Sequence, residues 1–158
     1  MNRVNAILNH EMFQMYIKKI AIYEKERIFC RHDIEHSLSV ARIMYIQSLE
    51  KRMDIKKDMI YAAALLHDIG RASAYETGKP HAIEAEIPAK TILKQCGYNA
   101  EETEHISSAI LNHHHANDEE GFGGLLNYAD KISRNCFLCS ASNDCNWSEE
   151  KRNHGVTV

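Results

Sequence analysis

The sequence predicts an all-α helical bundle of about six helices, and three observations predict it. Apolar residues recur at spacings of three and four along almost the whole chain. No stretch alternates apolar and polar residues as a half-buried strand would. Only two prolines, Pro80 and Pro88, interrupt the pattern. The 158 residues suffice for one domain with a real core, and a hydrophobic fraction of 44% suits an ordinary globular chain.

The first helix is expected over residues 3–22, with Val4, Ile7, Leu8, Phe13, Ile17 and Ile20 as its apolar side. The charged stretch Tyr23-Glu24-Lys25-Glu26-Arg27 breaks it. Asp33 is a plausible N-cap for a second helix reaching Leu49, with Ile34, Leu38, Ala41, Tyr45 and Leu49 in one stripe. His36 lies beside that stripe, in line with Val40 and Ile43. The third helix runs from about Ile55 to Ile69, with Gly70 as its natural stop. A loop over Gly70 to Pro80 follows. His81 opens a fourth helix to Gln95, which Pro88 is expected to kink or split. Asn99 and Glu102 form a capping box for the fifth, in which Ile106, Ile110 and His113 share a face. His113-His114-His115 then enters a loop over Ala116 to Gly121, and three consecutive histidines cannot all face inward. The sixth helix, Gly123 to about Phe137, turns Leu125, Leu126, Ala129 and Ile132 inward, with Asp130 one turn from Leu126.

Bulk properties exclude several classes. A net charge of -3 implies no general attraction to nucleic acid or membrane surfaces. No apolar run approaches the roughly 20 residues that span a bilayer, and the N-terminus lacks a signal-peptide pattern, so a cytoplasmic location is expected. Five cysteines, an odd number, favour thiols or metal ligands over a disulfide framework.

The run Tyr61-Ala62-Ala63-Ala64-Leu65-Leu66-His67-Asp68-Ile69-Gly70 is the centre of the functional reading. A buried helix delivers a histidine and a carboxylate to its inner end, where ionisable groups are costly unless paired. His36, His81, His113 and Asp130 are further inward candidates on other helices. Facing helices of a bundle build metal sites in this way.

The order His36, His67-Asp68, Asp130 resembles the signature of HD-domain metal-dependent phosphohydrolases. The surroundings agree: His36-Ser37-Leu38-Ser39-Val40-Ala41, Leu65-Leu66-His67-Asp68-Ile69-Gly70-Arg71 and Tyr128-Ala129-Asp130-Lys131-Ile132-Ser133 are each similar to a family motif. The resemblance covers roughly residues 31–135. It implies an HD domain over 1–137 and a cysteine-bearing tail over 138–158, as in a clostridial-type subset of the family. It also implies a metal held by His36, His67, Asp68 and Asp130. HD subgroups with histidines on the two intervening helices hold a second ion, here at His81 and His113 or His114, with Asp68 bridging. The ions would be Mn, Fe, Co, Ni or Mg. Two ions would lower the pKa of a shared water and clamp phosphoryl oxygens, Asp68 would orient that water, and Arg71, Lys131 and Arg134 would offset developing charge. Lys79 is a further substrate-contact candidate in the loop. The expected partner is a small phosphorylated or nucleotide substrate; no long nucleic acid is expected, and the sequence leaves the oligomeric state open. The Gly-Tyr-Pro motif of the cyclic-dinucleotide phosphodiesterases is absent. The competing reading is an HD fold serving as a non-catalytic metal or nucleotide sensor.

Two features fall outside the common pattern. His32 precedes His36 by one helical turn and reads as a residue behind the ligands or at the entrance. Cys136, Cys139 and Cys145 form a candidate thiolate site for zinc, with Cys30 or His154 as a fourth ligand.

Overall fold

The helical periodicity is realised as eight α-helices and three single-turn 3₁₀ segments, with no strand among the described residues. The structure, a computed structural model, describes residues 1–114 and 121–156. The expected loop over 116–120 and the side chain of His115 lie outside these.

The first expected helix is two, α1 (Asn2–Asn9) and α2 (Glu11–Tyr23). His10 between them takes an extended conformation, and its Nδ1 accepts the Met12 N–H at 3.2 Å. The cap supplies an acceptor for an N–H that the start of α2 would otherwise leave unpaired. Arg3 on α1 reaches across the bundle. It donates to Asp58 Oδ2 at 2.6 and 2.8 Å and to Glu102 Oε2 at 2.6 Å, and its guanidinium lies 4.1 Å from the centre of the Tyr98 ring. Charge-assisted contacts of this kind, half-shielded from water, outweigh an ordinary surface pair. Arg3→Ala is expected to lower unfolding stability by about 1–2 kcal/mol, measured by urea denaturation, with no change in metal content.

Helix α3 (Ile34–Glu50) begins as expected: the Asp33 carboxylate accepts the His36 N–H at 2.9 Å. The stripe is less regular than expected, because Leu49 is exposed and the buried face is carried by Val40, Ala41 and Met44. Helix α4 (Lys57–Leu66) is apolar nearly all round and buried from Met59 onward, apart from partly buried Tyr61, so it is the central helix of the bundle.

Gly70 does not stop α4, which ends at Leu66. It precedes a further helix, α5 (Arg71–Thr77), in the segment expected to be a loop. Its φ is an ordinary -66°, so left-handed freedom is not the reason for glycine here. A Cβ at position 70 would lie 2.0 Å from the His81 carbonyl oxygen and 2.5 Å from the Ala85 nitrogen. The backbone of α6 (His81–Gln95) therefore rests directly on Gly70. Pro88 does not split α6, which continues through it.

Helix α7 (Ala100–Asn112) carries both halves of the expected capping box, Asn99 to Glu102 N–H at 2.8 Å and Glu102 to Asn99 N–H at 3.2 Å. Helix α8 (Phe122–Ile132) ends earlier than expected. Cys136–Leu138, Ser142–Asp144 and Glu149–Lys151 follow as 3₁₀ turns. No helix among the described residues is long and apolar enough to cross a membrane.

Candidate metal centre

Helix ends converge to build the site. His36 stands in the first turn of α3 and His81 at the start of α6. His67 and Asp68 follow the last turn of α4, His113 and His114 follow α7, and Asp130 lies in the last turn of α8. The imidazoles form a continuous chain: ring centres are 5.5 Å apart for His36–His67, 5.6 Å for His67–His113, 5.6 Å for His81–His113 and 4.9 Å for His81–His114.

Backbone and hydroxyl acceptors set the tautomers. His67 Nδ1–H donates to the Ala64 carbonyl at 2.7 Å and His113 Nδ1–H to the Ile110 carbonyl at 2.5 Å. Ser133 Oγ gives its proton to the Asp130 carbonyl at 2.7 Å and so accepts from His36 Nδ1 at 3.2 Å. All three rings thus turn Nε2 inward, as metal-binding histidines do when the outer nitrogen is held. The Nε2 atom of His113 is buried without a hydrogen-bond partner, and His67 Nε2 and Asp68 Oδ2, 3.0 Å apart, make no hydrogen bond of good geometry. Orphaned buried atoms of ligand type are the observation that fits this site to cations.

The donors fall into two sets. One nitrogen or oxygen from each of His36, His67 and Asp68 lies within 4.8 Å of the others, and the same holds for His81, His113 and His114. Asp130 Oδ1 joins the first set at 3.0 Å from His36 Nε2. Asp68 stands between the sets, with Oδ2 3.0 Å from His67 Nε2 and Oδ1 3.4 Å from His81 Nε2. His113 is fully buried and His114 is exposed at the rim, 3.1 Å from His81 through their Nε2 atoms.

The electrostatics point the same way. Burial opposes protonation of His67, but Asp68 and Asp130 outweigh it and raise its pKa to about 10. Two buried carboxylates thus demand positive charge at this point. Burial, aided by Arg71, pushes His81 down to about 3, and burial with His67 and His114 pushes His113 to about 3. Both rings are neutral at pH 7, the form in which imidazole binds metal. Burial opposes the charge on Asp68, but His67 and Arg71 hold its pKa well below the usual range.

Arg71 Nε donates to Asp68 Oδ1 at 2.6 Å. Arg134 is buried; its Nη2 donates to His36 Nε2 at 2.8 Å and lies 3.4 Å from Asp130 Oδ1. Arg71, Asp130, Lys131 and Arg134 line a cavity of about 620 Å³, and Cys136, Cys139 and Cys145 line it too. Lys79 is not brought to the cavity; it is exposed, 4.0 Å from Glu84.

Glu24 is the residue the sequence reading missed. It belongs to the stretch expected only to break the first helix, yet it is buried. It accepts the His32 N–H at 2.8 Å, His32 Nδ1 at 2.5 Å and the Tyr75 hydroxyl at 2.6 Å. The signal was its spacing, since Phe13, Ile17, Ile20 and Glu24 share one helical face. His32 itself is buried, edge-on to His36 at 6.0 Å, and lines the cavity. Burial raises the Glu24 pKa, but the His32 and Tyr75 hydrogen bonds outweigh it and bring it to about 2 from 4.5. A depressed carboxylate stabilises the fold fully above its unfolded pKa, and that contribution is lost as pH falls through the folded value. Thermal melts between pH 5 and 2 should therefore show a decline for the native chain that is shallower in Glu24→Gln, which starts less stable.

The HD domain family model matches residues 33–144. The chain belongs to the HD-domain family. It is 42% identical over 156 residues to an uncharacterized protein of Clostridium beijerinckii, covering 99% of each. It is 32% identical over 125 residues to Ribonuclease Y of Nitratidesulfovibrio vulgaris, covering 78% of this chain but only 22% of that enzyme. Its fold matches the crystal structure of a predicted HD superfamily hydrolase from an uncultured Thermotogales bacterium, with a TM-score of 0.66, 23% identity, and coverage of 90% of this chain and 79% of the other.

Proposed function

We propose that this chain is a metal-dependent phosphohydrolase acting on a nucleotide or small phosphorylated metabolite. The observation that carries the reading is the pair of donor sets joined by Asp68. His36, His67, Asp68 and Asp130 would hold one ion and His81 and His113 the second, with His114 at its outer side. The imidazole and carboxylate donors suit Mn, Fe, Co or Ni, or Mg at the more carboxylate-rich set. When bound, such ions lower the pKa of water and neutralise phosphoryl oxygens.

The protein's own groups do the rest. Asp68 aligns the attacking water between the sets, and Arg71 fixes the Asp68 carboxylate by its 2.6 Å contact. Lys131, on the cavity wall, would offer a cation to the phosphate. Arg134 donates to the inward Nε2 of His36 and lies beside Asp130; an ion at this set would displace the His36 contact and leave the guanidinium as positive charge beside Asp130. Unpaired cysteines favour a reducing, cytoplasmic setting for this chemistry.

A panel of nucleoside phosphates, dinucleoside polyphosphates, sugar phosphates and a short RNA, the last because of the Ribonuclease Y similarity, tests this. Protein loaded with Mn, Co or Fe should release phosphate or nucleotide from some member, and chelation should abolish it. Metal-loaded protein that binds nucleotide but turns over nothing supports the sensor reading instead.

A further inference from the structure

The tail poses a physical problem. Residues 136–156 form three isolated 3₁₀ turns and bury only Ala141 and Asn153. A segment with so little core cannot offset the entropy of ordering it by apolar burial alone. A few anchors exist. Asn153 donates to the Ile132 and Arg134 carbonyls at 2.7 and 3.0 Å, and Arg152 donates to the Cys145 and Trp147 carbonyls. They are too few to fix 21 residues over a cavity.

What the tail does bring is sulfur. Cys136, Cys139 and Cys145 line the same cavity as Cys30, which arrives from the coil before α3 more than a hundred residues earlier. All four are partly buried free thiols. Cys136 and Cys139 flank one 3₁₀ turn, closed by the Cys139 N–H to the Cys136 carbonyl at 3.1 Å, a spacing that presents two sulfurs to one ion. His154, the other sequence candidate, is exposed and turned away, with Nε2 2.7 Å from the Glu149 carbonyl. The fifth cysteine, Cys96, is buried at the end of α6 away from this cavity. Among the described residues the donor atoms that lie within 4.8 Å of one another in groups of three belong to the histidine sets; the thiols line one cavity on coil and short turns, and an ion would have to draw their sulfurs together.

We propose that Cys30, Cys136, Cys139 and Cys145 form a second, structural metal site, a four-thiolate zinc site that clamps the C-terminal segment across the mouth of the histidine centre. Soft thiolates select zinc over the harder ions suited to the histidine and carboxylate sets, and each ligating thiol gives up its proton on binding. The clamp holds Trp147, Lys151 and Arg152 on the wall of the cavity that Asp130 and Lys131 also line, so it shapes the substrate pocket without touching the reacting atoms.

The test uses the full chain and two metals. Asp68→Ala, which disables the histidine centre, should still bind one zinc per chain, released by a mercurial thiol reagent. Cobalt in that variant should show thiolate-to-metal charge transfer and intense tetrahedral visible bands. Cys30→Ser and Cys139→Ser should each weaken zinc by more than about 100-fold, while Cys96→Ser should not. Should the cysteine variants fail to fold, the cobalt spectrum of Asp68→Ala decides alone. The proposal is overturned if that variant binds no zinc and shows no thiolate charge transfer. It is equally overturned if Cys30→Ser retains the native zinc affinity. Failure here leaves the phosphohydrolase reading standing, because the histidine centre is read by turnover and by its own metal content.

Discussion

Asp68→Asn should lose metal from both donor sets and lower turnover by at least about 10³-fold, about 4 kcal/mol of transition-state stabilisation. The reason is position. Asp68 is the one carboxylate within 3.0 Å of His67 and 3.4 Å of His81, so its charge serves both sets at once. Asparagine keeps the shape and can still face Arg71 but removes the charge, which separates electrostatics from packing. His114→Ala is the contrasting variant. Its ring is at the exposed rim, so it should weaken only the second ion and leave the first set loaded. Metal analysis by mass spectrometry alongside turnover distinguishes the two patterns. Equal metal content in Asp68→Asn and the native chain would remove Asp68 from its central role.

Gly70→Ala should destabilise the fold strongly. Its Cβ would meet backbone atoms of α6 at 2.0, 2.5 and 2.9 Å, and backbone cannot rotate away as a side chain can. A loss of more than about 3 kcal/mol is expected by urea denaturation. Because His81 opens α6, any shift of that helix also moves a ligand, so second-set metal affinity should fall with stability. Gly78→Ala offers the comparison. Gly78 ends α5 at φ +74° with open space around it, so alanine there should cost only about 1 kcal/mol of backbone strain and leave metal binding intact.

These two glycines show where the sequence could and could not be read. Local signals were legible. Asp33 and the Asn99–Glu102 box sit one helical turn from the groups they cap, so neighbouring residues alone predict them. Apolar spacing placed His36, His67, His113 and Asp130 inward, and their order with Asp68 resembles a motif; the structure brings them together with His81. Long-range causes were not legible. Gly70 is glycine because α6 rests on it, which no window around position 70 reveals. Helix α5 was hidden because only Ala72 of its residues is buried, leaving no apolar stripe to detect. Arg134 was read as a substrate contact and does line the cavity, but the pairing of its guanidinium with His36, 98 positions away, could not be read locally. Cys30 lines the same cavity as the tail cysteines over a similar distance, a juxtaposition no local window reveals.

The most direct measurement of the central claim is anomalous X-ray scattering from crystals grown with manganese or cobalt. The account predicts two peaks flanking Asp68, one among His36, His67 and Asp130 and one among His81, His113 and His114. A single peak confined to one set, or none within the histidine centre, would contradict it.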